Sequence, residues 1–104
     1  MTSFGPEVRN LLEKLLLGYR RYFDRFGTLN SDGRKLLEEA LRYLIYEHPE
    51  LKPLAKKVRK NPTLENIVKL AEEILGRDRA QELARAGLYG PYSYGFPWES
   101  GEES

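Results

Sequence analysis

A chain of 104 residues with no cysteine is short enough for a single domain, and it cannot build a disulfide framework, a thiolate zinc site or a thiol nucleophile. Folding can bury about two-thirds of its unfolded surface, enough for a modest core. With 17 Lys+Arg against 16 Asp+Glu, the formal net charge of +1 argues against a protein that coats nucleic acid with its whole surface.

Residues 7–26 carry apolar side chains at Val8, Leu11, Leu12, Leu15, Leu16, Tyr19, Tyr22, Phe23 and Phe26. This is the i, i+3, i+4, i+7 spacing of one buried helical face, and it predicts a single helix. Pro6 stands where a first-turn proline is tolerated, and Gly27 ends the run. Gly18 inside it costs about 1 kcal/mol of helix propensity, which points to close approach of another element. Asn30-Ser31-Asp32-Gly33 reads as a turn and cap. It is followed by a helix to Glu47 with Leu37, Ala40, Leu41, Leu44 and Ile45 inward and Tyr43 and Tyr46 at the flanks. Pro49 disfavours helical geometry at His48 and stops that helix. A short helix is predicted over Pro53–Lys60, carrying Leu54, Ala55 and Val58 and ending at Asn61-Pro62.

Thr63 can cap the next helix, whose face is Leu64, Ile67, Val68, Ala71, Ile74 and Leu75 and whose stop is Gly76. Asp78 with Gln81 resembles a capping box for a last helix through about Ala86, with Ala80, Leu83 and Ala84 inward and Gly87 as its end. Residues 88–104 differ in kind. Gly90-Pro91 and Phe96-Pro97 break any helix, yet Tyr89, Tyr92, Tyr94, Phe96 and Trp98 are five of the twelve aromatics. From Tyr92 to Trp98 aromatics alternate with small residues or proline, which predicts an extended chain with one aromatic face. Such a segment straps over its own helices, docks on a partner through Tyr and Trp of the kind found at interface hot spots, or is disordered, and its aromatic richness argues against permanent disorder. Glu99–Ser104 is an acidic end.

The chain offers little for catalysis. His48, the lone histidine, is either a general base oriented by Glu47 or a cation at the negative end of a helix, and the second reading is adopted here. Glu38/Glu39 and Glu72/Glu73 lack the Glu-x-x-His spacing of di-metal bundles, and adjacent helical residues diverge by about 100°. Gly87-Leu88-Tyr89-Gly90 has neither the Lys-Ser/Thr ending nor the preceding strand of a phosphate loop. No enzymatic activity, cofactor or metal is expected.

The neutral total conceals a local imbalance. Lys52, Lys56, Lys57, Arg59 and Lys60 put +5 into nine residues, leaving −4 for the remainder. Arg20, Arg21 and Arg25 form a second basic group among aromatics on the first helix. The basic segment is either a solvated short helix whose charges neutralise Glu residues elsewhere or, with the second group, a candidate for contact with phosphates. Arg59-Lys60-Asn61-Pro62-Thr63-Leu64-Glu65-Asn66-Ile67-Val68-Lys69-Leu70-Ala71, continued to Gly76, resembles the late helix of Cro/repressor-type helix-turn-helix domains, which often opens on Asn-Pro-Ser/Thr-Leu-Glu. In that family it is a packing helix, so the resemblance implies a structural role and carries over no DNA-contacting residue. The preceding residues depart from the family: no glycine stands between Arg34 and Leu75 to supply its helix-Gly-turn-helix signal.

The expected architecture is all-α: a compact bundle of four to five short helices over residues 1–87, with an extended aromatic strap over 88–104. The leading functional expectation is a non-catalytic binding or accessory subunit that meets a protein partner, or a second copy of itself, through Tyr89, Tyr92, Tyr94, Phe96 and Trp98 and the adjacent groove. The alternative is a small nucleic-acid-associated subunit using Lys52–Lys60 with Arg20, Arg21 and Arg25. A third is a designed bundle with no natural function. No run of about 18 apolar residues is present, and Leu15-Leu16-Leu17 is too short for a signal-peptide core, so a cytoplasmic protein without membrane contact is expected. One Met beside many Glu, Lys and Arg fits a thermostable protein and fits a designed one equally.

Overall fold

Proline fixes the first helix at its start. Pro6 sits in the opening turn of α1 (Pro6–Leu17), where its missing N–H would have had no partner. The N-cap, Gly5, has no side chain to cap with, and its N–H donates instead to the Glu47 carboxylate at 3.0 Å. The computed structural model describes residues 4–89. Its further elements are α2 (Tyr19–Tyr22), α3 (Ser31–Glu47), a 3-10 turn (Pro49–Leu51), α4 (Lys52–Lys60), α5 (Leu64–Leu75) and α6 (Arg77–Tyr89). The class is all-α, with six helices against the four to five expected, and no strand occurs among the described residues. None of the described helices is long and apolar enough to cross a membrane. Of the strap expected over 88–104, Leu88 and Tyr89 instead complete α6 as helix, and residues 90–104 lie outside the described residues.

The single helix expected over residues 7–26 does not form. α1 closes at Gly18, whose N–H donates to the Lys14 carbonyl, and the four-residue α2 follows. At Phe23 the backbone becomes extended, with φ −117° and ψ 146°. Tyr22, at the end of α2, and Phe23, at the extended position after it, are both buried. Gly27 therefore ends no helix; it lies in the following loop with φ +79°.

Caps written locally in the sequence appear where expected. Asn30 Oδ1 accepts from Gly33 N–H at 2.9 Å to open α3, and Thr63 Oγ1 accepts from Asn66 N–H at 3.3 Å to open α5. The expected capping box at Asp78 is not used. α6 starts one residue earlier, after Gly76 at φ +94°, and Gln81 reaches back to Glu72 at 3.2 Å.

α1 is the central helix, packed against α3, α5 and α6. Its Val8, Leu12, Leu15 and Leu16 are fully buried and share one core with Leu37, Leu41, Leu44, Val58, Ile67, Leu70 and Leu83. Each such side chain contributes about 1.5–3 kcal/mol by leaving water.

Two glycines serve that packing. Gly33 lets α3 start against the chain at Tyr22, where a Cβ would stand 2.5 Å from the Tyr22 carbonyl oxygen. Gly87, expected to end the last helix, instead lies buried inside α6. A Cβ there would meet the Leu16 carbonyl oxygen at 1.9 Å.

Replacing Gly87 by Ala should therefore force α6 away from α1 despite the gain of about 1 kcal/mol in helix propensity. We expect a net loss of about 1–3 kcal/mol, read as a lower midpoint in thermal unfolding followed by circular dichroism. A midpoint equal to or above the parent's would contradict the close approach.

Candidate nucleic-acid interface

Five cations in nine residues can share a short helix only if its apolar residues fall on one side. In α4, Ala55 and Val58 are buried and Leu54 is half-buried, while Lys52, Lys56, Lys57, Arg59 and Lys60 are exposed. The last turn holds Lys57, Arg59 and Lys60, where positive charge meets the negative end of the helix. Arg59 is spent on an ion pair, its Nε 3.0 Å from Glu38 Oε2 on α3. Lys52, Lys56, Lys57 and Lys60 have no ion pair among the described residues.

The second basic group is exposed as well. Arg20 and Arg21 lie on α2 and Arg25 in the loop after it, and none is ion-paired among the described residues. The Arg21 guanidinium stands 5.7 Å from the centre of the Tyr22 ring, and that of Arg25 stands 5.3 Å from the centre of the Phe26 ring. These are cation–π distances.

The two groups are about 30 residues apart in sequence, and the fold draws their neighbourhoods together. The loop from Phe23 to Asn30 folds back on itself: Asp24 N–H donates to Thr28 C=O at 2.7 Å, and Gly27 N–H to Asp24 C=O at 3.1 Å. Asp24 Oδ1 accepts from Phe26 N–H and Thr28 N–H, an aspartate turn of the usual kind. The loop then pairs with the segment that joins α4 to α5. Leu64 N–H donates to Gly27 C=O at 2.8 Å, Leu29 N–H donates to Pro62 C=O at 2.9 Å, and Thr28 faces Thr63 in an antiparallel bridge. Arg25 is thus two residues from one side of this junction and Lys60 two residues from the other.

Asn30 ties the same loop to α3. Its N–H donates to Tyr22 C=O, its Nδ2 to Arg21 C=O and its Oδ1 receives Gly33 N–H. This brings in two cations that the sequence reading did not single out. Arg34 and Lys35 are exposed in the first turns of α3, with Arg34 Nε donating to Leu29 C=O at 3.3 Å. Residues 20–35 and 57–65 together hold eight Lys or Arg against Asp24, Asp32 and Glu65.

Phe26 was expected in the buried stripe of the first helix. It is instead 78% exposed at the tip of this loop. The Asp24 turn and Gly27 were the local signals for that outcome.

The other candidates fall elsewhere. Tyr89 ends α6 and is 74% exposed; Tyr92, Tyr94, Phe96 and Trp98 lie outside the described residues. Glu47 accepts from the Gly5 N–H, and His48 packs on the Phe4 ring and approaches Glu50 at 3.3 Å. Among the described residues, no three His, Asp or Glu side chains gather closely enough to hold a metal ion. No family model, curated protein or solved structure matches the chain.

Because the Asn30 side chain donates to Arg21 C=O and accepts from Gly33 N–H at once, Asn30→Ala, which keeps only the backbone bond to Tyr22, should cost about 0.5–2 kcal/mol, read from the denaturant midpoint. Asn30→Asp keeps the acceptor for Gly33 and should fall between Ala and the parent. Equal stability of all three would show that Asn30 does not secure the loop.

Proposed function

We propose that this chain is a non-catalytic binding or accessory protein whose partner is nucleic acid, held through its phosphate backbone. The supporting observation is the junction itself: exposed cations from two distant segments flank one pair of hydrogen-bonded backbones, and the lysines of α4 have no carboxylate to neutralise them among the described residues. Asp24 accepts from two backbone N–H groups, and Glu38 pairs with Arg59. The near-neutral total is compatible with a discrete patch, since contact with a backbone depends on the local array of cations. Lys56, Lys57 and Lys60 with Arg20, Arg21 and Arg25 carry the contact; Lys52 extends it along α4.

A second reading, contact with a protein partner or a second copy through the aromatic C-terminal segment, is favoured by Tyr89. It leaves the bundle exposed at the head of that five-aromatic run.

Titrating a labelled oligonucleotide at several salt concentrations tests the first reading and weighs the second. We expect the logarithm of the binding constant to fall linearly with the logarithm of salt. Lys56→Glu, Lys57→Glu and Lys60→Glu together should reduce the slope by about 2–3 and abolish binding at moderate salt, with the helical spectrum unchanged. A chain ending at Tyr89 should bind as the full chain does. A flat salt response would refute the nucleic-acid reading. A particle that falls from dimer to monomer on removal of residues 90–104 would favour the second.

A further inference from the structure

Phe26 is costly to leave in water and does nothing for the fold that requires its ring. The loop uses it only through its backbone N–H, which donates to Asp24 Oδ1 at 2.8 Å. The core is complete without it, and the ring is 78% exposed. An exposed aliphatic or aromatic residue standing alone on a surface is ordinary. Phe26 is not in that position, for three reasons on the molecule.

First, it stands on a tied loop. Hydrogen bonds at Asp24, Gly27, Thr28 and Leu29 hold the backbone on both sides of it, two of them reaching the segment between α4 and α5. Little backbone entropy remains to be lost when the ring meets a ligand, so only the side-chain rotamer has still to be fixed. Second, the Arg25 guanidinium lies 5.3 Å from the ring centre, a cation–π distance, while the residue stays 78% exposed. Third, its surroundings are cationic: Arg20, Arg21 and Arg25 precede it, and the junction beside it leads to Lys60 and Lys57. A protein partner chosen by an apolar ring would not need these charges; a polyanion that also offers flat π-faces matches both features.

We propose that the basic surface takes single-stranded nucleic acid, with one unpaired base stacked on Phe26 and the adjoining phosphates on Arg25 and the lysines of α4. The inference rests on the nucleic-acid reading above and sharpens it. Every base has a π-face, so stacking asks for no particular sequence, but in a duplex those faces are covered by neighbouring bases. The preference for an unpaired strand therefore follows from the ring, whereas affinity for phosphate follows from the cations.

The test compares Phe26→Ala with the parent on an oligothymidine and on a duplex of equal length, in one buffer, by fluorescence anisotropy. Alanine should weaken single-strand binding by about 5- to 150-fold, leave the weaker duplex binding unchanged and leave the salt slope unchanged. Phe26→Trp should restore binding. In a Trp98→Phe background its emission should be quenched by the oligothymidine and not by the duplex.

If Phe26→Ala binds the single strand as the parent does, while Lys56→Glu, Lys57→Glu and Lys60→Glu together abolish binding, stacking is refuted and the backbone reading stands. If the parent binds neither strand, or binds with a flat salt response, both fall. Equal loss on both strands would refute the single-strand preference. A change of particle size on Phe26→Ala without nucleic acid would assign the ring to contact between copies and overturn the proposal.

Discussion

Two backbone hydrogen bonds, from Leu64 to Gly27 and from Leu29 to Pro62, join a loop near the first quarter of the chain to the turn between α4 and α5. In a helical protein most backbone groups are satisfied within their own helices, so a cross-link between two connecting segments is an unusual constraint. Here it sets the position of α4 relative to the end of α2. Arg25 and Phe26 are carried on one strand of the pairing and Lys60 on the other. Without the pairing, the chain would carry two unrelated basic stretches separated by the whole of α3.

The pairing is supported from below by packing that leaves little room for adjustment. Tyr22 C=O receives Asn30 N–H while α3 begins against it at Gly33, so the loop is anchored at both ends before it reaches the α4–α5 turn. Leu29, buried beneath the junction, adds an apolar footing. Elsewhere on α1, Gly87 brings α6 against the Leu16 carbonyl. The central helix is thus held by backbone contact as well as by its leucines. Charge plays a different part. Arg59–Glu38 and the Arg79 pairs with Glu13 and Glu82 are half-exposed ion pairs, each worth roughly 0–1 kcal/mol. The fold does not depend on them.

Legibility in the sequence followed the range of the physics. α3 over Ser31–Glu47 and α5 over Leu64–Leu75 match the sequence reading because Asn30 and Thr63 act on N–H groups three residues away. The break after Leu17 was not legible. The apolar spacing runs unbroken through Tyr19, Tyr22, Phe23 and Phe26, and the periodicity alone could not register that Tyr22 and Phe23 are buried by two different backbone geometries. Nor could it show that Phe26 is outside. Gly87 read as a stop because glycine ends many helices; its place inside α6 depends on a carbonyl 71 residues earlier. The basic segments were each visible as composition, and their meeting was not, because hydrogen bonds between Gly27 and Leu64 leave no mark in local sequence. The aromatic run from Tyr92 to Trp98 lies outside the described residues.

The central claim is that one folded junction makes a single binding surface from two distant segments. Amide chemical shifts of the isotope-labelled full chain, followed during titration with an oligothymidine, test it most directly. Arg20, Arg21, Arg25–Gly27 and Lys56–Asn61 should shift together with one common dissociation constant, while α6 and the residues after it stay in place. Shifts confined to one of the two segments, two different dissociation constants, or movement only among residues 88–104 would contradict it.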